Sequence, residues 1–172
     1  LRMAATSPGT FEKVAREGLP VFVGLRGDGL SILAENLNHY RSVWKQSGHP
    51  GNGSVYLRVP LYVGADERDG YDTPRESIEY YFARQAQQLR VQGVDGRDRV
   101  AKVLDALDYD EIRKSRVAYG SAAEVVDRFR EWRDVLSIDG VVLEMNAGGM
   151  LGEEAVKASL NRLCHEVMPA FR

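Results

Sequence analysis

Val55-Tyr56-Leu57-Arg58-Val59-Pro60-Leu61-Tyr62-Val63-Gly64 places an aliphatic side chain at every odd position from 55 to 63, with Tyr, Arg, Pro and Tyr between them. Side chains of a strand alternate between two faces, so this segment reads as a strand with one wholly apolar face and one mixed face. An uninterrupted aliphatic face calls for helices packed against it, the situation of strands in parallel sheets. Pro60 removes one ladder donor and predicts a bulge there.

Upstream, Pro20-Val21-Phe22-Val23-Gly24 is a second compact apolar strand, and Arg2 to Thr6 reads as a short buried one. Between them Ser7 is a natural N-cap and Pro8 a natural first helical residue. Phe11, Val14 and Ala15 then recur at helical spacing up to Gly18. The turn Gly27-Asp28-Gly29 leads into a long helix with Leu30, Leu33, Ala34, Leu37, Tyr40 and Trp44 on one side, stopped by Gly48, Pro50, Gly51 and Gly53. Downstream, Thr73-Pro74-Arg75-Glu76 reads as a capping box opening a helix with Ile78, Tyr81, Phe82 and Leu89 inward. Residues 92–115 are charged with modest helical periodicity and read as a helical insert. Ser121-Ala122-Ala123-Glu124 is a second capping box, opening a helix with Val125, Phe129, Trp132 and Leu136 inward. Gly140 to Asn146 forms a fourth strand. The last helix shows Val156, Leu160, Leu163, Cys164 and Val167 before Pro169, which predicts Cys164 as a small buried apolar residue. Strands alternating with helices predict a parallel α/β fold of about four β/α units. That order fits both half of an eight-unit barrel and a small doubly wound sheet.

The 172 residues suit one domain with a core. Lys+Arg number 23 and Asp+Glu 25, a net charge of −2, so no basic excess points to nucleic acid. The apolar runs are strand-sized, against the roughly 20 residues a membrane helix needs. With no basic and apolar leader visible, a cytoplasmic protein is expected. One cysteine makes no internal disulfide, and His39, His49 and His165 lack ligand spacing, so no metal is expected.

In parallel α/β folds ligands gather on loops at the carboxyl ends of the strands. Four segments qualify: 6–10, 24–29, 64–73 and 146–152. In the first, Ser7 and Thr10 flank Pro8-Gly9 at a helix start, where free backbone N–H groups favour an anion. Gly9 would let a phosphate approach the backbone. An ordinary Ser-Pro cap fits the same residues. Asp66, Asp69 and Asp72 fail the spacing of a calcium loop and read as a solvated acidic turn. If the sheet closes into a barrel, Tyr56, Arg58, Tyr62, Glu144 and Asn146 point inward, and Arg58 would pair with Glu144.

Asp139-Gly140-Val141-Val142-Leu143-Glu144-Met145-Asn146-Ala147-Gly148-Gly149, followed by Ser159-Leu160-Asn161-Arg162-Leu163 and Glu166-Val167-Met168-Pro169, resembles the closing segment of the bacterial luciferase-like flavin monooxygenases. Ser7 to Thr10 after an Ala-rich strand, Ala15-Arg16-Glu17-Gly18-Leu19-Pro20, and Tyr40 to Trp44 with Gly48-His49 extend the resemblance over nearly the whole chain. It implies the C-terminal half of a TIM (β/α)8 barrel, residues 1–172 forming part of a single luciferase-like domain. It further implies a parent enzyme that binds reduced FMN from a separate flavin reductase. That enzyme would oxidise a small organic substrate through a flavin C4a-hydroperoxide. Thr6, Ser7 and Thr10 match the loop that contacts the cofactor phosphate. The catalytic residues are expected in the absent N-terminal half, so none is assigned here. The loop at 64–73 and the insert are candidates for substrate-covering contacts. Two alternatives stand: a deazaflavin-dependent oxidoreductase of the same superfamily, and a catalytically inert binding or assembly fragment. Four β/α units leave open strand edges, so the chain is expected to pair with the missing half or to form a homo-oligomer.

Overall fold

The computed structural model describes residues 1–25, 29–91 and 97–172. The chain divides into two compact units, Leu1–Val59 with Glu131–Val142, and Pro60–Arg130 with Leu143–Arg172. The turn predicted at Gly27-Asp28 lies outside the described residues, as do residues 92–96 of the predicted insert.

The first unit holds β1 (Met3–Ala4), α1 (Pro8–Arg16), β2 (Val21–Gly24), α2 (Leu30–Gln46) and the first part of β3 (Val55–Val63). To these it adds the end of α7 (Ala122–Leu136) and the start of β5 (Gly140–Glu144). The strands are parallel, with Met3 opposite Val21 and Val21 opposite Val55. Val21, Val55, Leu57 and Val59 are each 0% exposed, as the alternation predicts, and Phe11, Val14, Leu37, Tyr40 and Trp44 bury the faces of α1 and α2. Met3 and Ala4 correct the expectation of a buried first strand. Met3 is 38% exposed, because among the described residues β1 pairs with β2 on one side only, and within this segment Ala5 is the residue withdrawn from water.

Side chains tie the chain reversals of this unit. The Tyr40 hydroxyl donates to the Leu19 carbonyl at 3.0 Å, and Trp44 Nε1–H donates to the Pro50 carbonyl at 3.0 Å. His49 Nε2 lies 2.9 Å from the Arg16 carbonyl, with its ring 5.0 Å from that of Trp44. Arg41 Nη2 donates to the Leu136 and Ser137 carbonyls at 2.9 and 2.8 Å, closing the free end of α7. Asp139 holds the start of β5 to β3 twice. Its carboxylate accepts from Val55 N–H at 2.7 Å, and its own N–H donates to the Val55 carbonyl at 2.9 Å.

The second unit contains the end of β3, α3 (Glu67–Asp72), α4 (Arg75–Val91), α5 (Arg97–Asp105), α6 (Tyr109–Ser115), β4 (Ala118–Gly120), the start of α7, the end of β5 and α8 (Glu153–Arg162). Its core gathers Tyr62, Ile78, Phe82, Ala86, Ala101, Leu104, Ile112, Val117 and Tyr119. β4 runs parallel to β3, with Leu61 opposite Ala118. The strand continues through Pro60, where a bulge was expected. The β2 ladder ends at Arg58 and the β4 ladder begins at Leu61, so Pro60 stands in neither register.

Helix starts and ends agree with the sequence reading at Ser121 and depart from it in two other places. The box at Ser121 forms, with Ser121 N–H donating to Glu124 Oε2 at 2.7 Å. The box at Thr73 does not. The Thr73 hydroxyl donates to Asp69 Oδ1 at 2.6 Å, and the Pro74 carbonyl accepts the first bond of α4. The last helix leaves its α geometry after Arg162 in a π-helical turn, Leu163–Val167, and a 3₁₀ turn, Met168–Phe171. The buried positions are therefore Ser159, Leu163 and Val167, whereas Leu160 and Cys164, expected inward, are exposed. Ser159 earns its place by polar pairing, its hydroxyl accepting from Val63 N–H at 2.8 Å.

Three backbones meet without side chains at Gly64, Gly70 and Gly120. Gly64 N–H donates to the Gly120 carbonyl at 2.8 Å, and a Cβ on Gly70 would lie 2.5 Å from the Gly120 backbone. Gly70→Ala is expected to cost about 1–3 kcal/mol in urea unfolding, because backbone on both sides prevents relaxation. Gly9→Ala, whose Cβ would meet nothing within 4 Å, is expected to match or exceed the wild type. Equal stability of the Gly70 variant and the wild type would contradict this packing.

Candidate functional site

The four carboxyl-end loops differ in how far their polar groups are already used. In the first, Ser7 stands at the N-cap of α1 in extended conformation, yet its side chain makes no capping bond. Its hydroxyl instead lies 2.9 Å from the Thr10 hydroxyl, while the Thr10 and Phe11 N–H groups donate to the Ser7 carbonyl at 2.9 and 3.2 Å. Pro8 has no amide hydrogen, which leaves Gly9 as the first-turn amide facing outward. Thr6 and Ser7 are exposed and Thr10 is half-buried. The first turn carries no acidic residue, and a shallow depression of ≈220 Å³ opens beside Gly9 along Glu12, Lys13, Arg16 and Glu17. Two hydroxyls and the positive end of a helix dipole, free of acidic neighbours in that turn, suit an anion.

Of the second loop, Gly24, Leu25 and Gly29 are described; Leu25 is buried and Gly29 is an N-cap with φ of 89°. The third is closed on itself. Asp66 caps α3 by accepting from Asp69 N–H at 2.8 Å, and Asp69 accepts from Ala65 N–H at 2.8 Å, from Thr73 and from the Tyr62 hydroxyl at 3.3 Å. Arg162 approaches Asp69 at 3.9 Å, and Arg68 pairs with Asp72 at 3.4 Å. The three aspartates therefore serve as caps and ion-pair partners, and among the described residues no group of three or more His, Cys, Asp or Glu is placed to hold a metal.

The fourth loop spends its amides internally. Gly149 N–H donates to the Asn146 carbonyl at 3.0 Å, Met150 N–H to Ser77 Oγ at 3.2 Å, and Leu151 N–H to Asn146 Oδ1 at 3.0 Å. Asn146 Nδ2–H also donates to the Leu151 carbonyl at 3.1 Å, so this side chain closes its own loop rather than serving an interior cavity. Glu153 and Glu154 follow in the first turn of α8 and oppose an anion there.

Other singled-out residues fall elsewhere. Cys164 is exposed, and His39 and His165 sit on helix surfaces, His39 3.9 Å from Glu12 and His165 2.9 Å from the Asn161 carbonyl. Arg58 lies in the first unit and Glu144 in the second. Glu144 accepts from the Tyr81 hydroxyl at 3.0 Å, a pair the sequence did not announce because Tyr81 satisfies helical periodicity as an apolar residue. Ser77 was equally silent. Nothing about a serine in the first turn of a helix signals that it will bond the Ala147 carbonyl at 2.6 Å.

Parallel strands that deliver their polar loops to helix starts place the chain in the class of parallel α/β folds. A sequence profile described as luciferase-like monooxygenase matches residues 1–137, and the chain belongs to that family. No curated protein matches it. Among solved structures it is similar to the oxygenating constituent of 3,6-diketocamphane monooxygenase from the CAM plasmid of Pseudomonas putida in complex with FMN. There the identity is 17% and the TM-score 0.71, over 98% of this chain and 47% of that one. The coenzyme F420-dependent tetrahydromethanopterin reductase of Methanopyrus kandleri matches at 17% identity and TM-score 0.68, over 99% and 50%. Monooxygenase RslO1 from Streptomyces bottropensis matches at 16% and 0.64, over 99% and 47%. The chain thus spans about half the length of the TIM-barrel structures it matches. Among the described residues no helix is long and apolar enough to cross a membrane.

The Asp69 network has a titration consequence. Burial alone would push the Asp69 carboxyl up, but hydrogen bonds from Thr73, Ala65 and Tyr62 and the charge of Arg162 outweigh it and hold it below the usual carboxylate range. A carboxylate depressed in the folded state stabilises fully above its unfolded value and loses that contribution as pH falls through the folded one. Below about pH 4 the wild-type unfolding temperature is expected to drop more steeply than that of Asp69→Asn. Parallel curves from pH 7 to pH 3 would refute the assignment.

Proposed function

We propose that this chain supplies the cofactor-phosphate loop of a flavin-dependent monooxygenase, with Thr6, Ser7 and Thr10 holding the phosphate of reduced FMN. The observation that carries the reading is the Ser7–Thr10 hydroxyl pair at the start of α1, where Ser7 leaves its own helix uncapped. The residues fit the group. The pair offers two hydroxyl donors beside the Gly9 amide, and nothing lies within 4 Å of where a Gly9 side chain would begin. Loops three and four present carboxylates or amides already bonded, which favours the first loop over them. Family membership and a similar FMN-bound structure support the choice of cofactor.

Bound reduced FMN would supply the activation of oxygen for oxidation of a small organic substrate. Ser7 and Thr10 bind and orient; neither moves a proton. Residues 1–172 form, in this reading, the C-terminal half of one luciferase-like domain with a helical insert at about 92–115, and the half-length match to related structures supports it. The catalytic residues then belong to the other half, and a separate flavin reductase supplies the reduced cofactor. The open edge of β1 suits pairing with that half or with a homo-oligomer partner. A deazaflavin in place of FMN is the second reading, favoured by the similarity to two F420-dependent enzymes.

FMN, riboflavin and F420 titrated against the chain and the Ser7→Ala/Thr10→Ala variant test this. Each hydroxyl bonding a charged phosphate contributes about 1.5–3 kcal/mol, so the variant is expected to lose on the order of 100-fold or more in FMN affinity. Riboflavin, lacking the phosphate, is expected to bind both equally. Equal FMN affinities would sink the phosphate assignment, and a loss confined to F420 would transfer it to the deazaflavin.

A further inference from the structure

The turn that joins α2 to β3 runs Gly48-His49-Pro50-Gly51-Asn52-Gly53-Ser54, and its packing fixes one residue in it. Gly53 has φ of 72°, and a Cβ on it would stand 2.6 Å from the Tyr40 hydroxyl oxygen. That hydroxyl is committed, because Tyr40 is buried and donates to the Leu19 carbonyl at 3.0 Å. Backbone conformation and packing therefore each hold position 53 to glycine. The residue before it, Asn52, is exposed and lies outside helix and strand. The β3 ladder begins beyond both, where the Ser54 carbonyl accepts from Val21 N–H at 2.9 Å and Val55 N–H donates to Asp139.

We propose that Asn52-Gly53 is a site of spontaneous covalent modification, at which Asn52 is converted to aspartate and isoaspartate. The Gly53 main-chain nitrogen attacks Asn52 Cγ. A C–N bond forms, the Cγ–Nδ2 bond breaks, and ammonia leaves with the Gly53 amide hydrogen, so that a five-membered succinimide remains. Water then opens the ring. Cleavage at the side-chain carbonyl gives aspartate; cleavage at the main-chain carbonyl gives isoaspartate, whose chain runs on through Cβ and Cγ. Nothing is oxidised or reduced. Asparagine amides are among the thermally labile groups of proteins, and a following glycine has no side chain to crowd the attack. Of Asn36, Asn38, Asn52, Asn146 and Asn161, Asn52 is the one followed by glycine. Asn36 and Asn38 lie within α2 and Asn161 within α8, where the helical ladder holds the backbone. The Asn146 amide is bonded through both its oxygen and its nitrogen to Leu151. Either product adds one negative charge, and isoaspartate also lengthens the main chain by one carbon directly before the glycine seated on Tyr40. The reaction needs neither the cofactor nor the phosphate loop.

Warm incubation of the full chain in mildly alkaline buffer tests this. Peptide mapping by mass spectrometry follows the amide, and methyl transfer from S-adenosylmethionine by an isoaspartyl methyltransferase follows the isoaspartate. The peptide holding Asn52 is expected to convert to two separable products of the acid mass, one of them methyl-accepting, while those holding Asn38 and Asn161 keep their amides. Asn52→Gln is expected to lose the methyl acceptance with an unchanged circular dichroism spectrum, because its side chain must close a six-membered ring. The purified isoaspartyl form is expected to unfold at a lower temperature than Asn52→Asp, which carries the same charge without the extra carbon. An intact Asn52 after an incubation that converts a synthetic peptide of residues 48–57 overturns the proposal, as does methyl acceptance that persists in Asn52→Gln.

Discussion

The aliphatic face of β3 is the constraint on which the rest of the structure depends. Val55, Leu57, Val59, Leu61 and Val63 are all withdrawn from water, and the strand passes through both compact units. Burying such a face removes apolar area at about 25 cal/mol per Å², and it obliges helices to cover the strand along its length. The same burial leaves the backbone on that strand no water to bond. Its amides and carbonyls are met instead by parallel neighbours, by the Asp139 carboxylate at Val55 and by the Ser159 hydroxyl at Val63. Those last two are side chains recruited where a ladder gives out.

From that frame follows the contrast among the loops. Each strand delivers its loop to a helix start, and each helix start exposes amides that need an acceptor. Aspartate answers that need at α3, whereas before α8 an asparagine and a buried serine take up only the loop amides of Leu151 and Met150, and the N-cap Gly152 has no side chain to offer. At α1 no side chain answers it: the Ser7 and Thr10 hydroxyls bond each other, and the Thr10 and Phe11 N–H groups turn to the Ser7 carbonyl.

Strands and long helices were legible because their apolar period is a direct consequence of burial, as Val55 to Val63 and Phe129-Trp132-Leu136 show. The hydroxyl pair at Ser7 and Thr10 was legible too, since Pro8 and Gly9 fix its place at a helix start. What escaped depended on partners distant in sequence. Thr73 looked like a cap, but its hydroxyl turns back to donate to Asp69, and Asn146 looked inward-facing until Leu151 folded back on it. β4 is three residues long and has no period to read. The last helix misled because a polar residue, Ser159, takes a buried place by bonding Val63 N–H, and Leu160 and Cys164, next to Ser159 and Leu163, are left exposed.

The meeting of Gly64, Gly70 and Gly120 has a bearing on how this fold can diversify. Where three backbones touch with no side chain between them, the path of the chain from β3 into α3 is held against β4 by main-chain contact. The residues carried on that path, Glu67, Arg68 and Asp72, are exposed and bear no part of the junction. A lineage can therefore exchange the chemistry displayed at this end of β3 one residue at a time while the loop beneath keeps its course. The glycines act as a mould, and the surface above them is the variable casting.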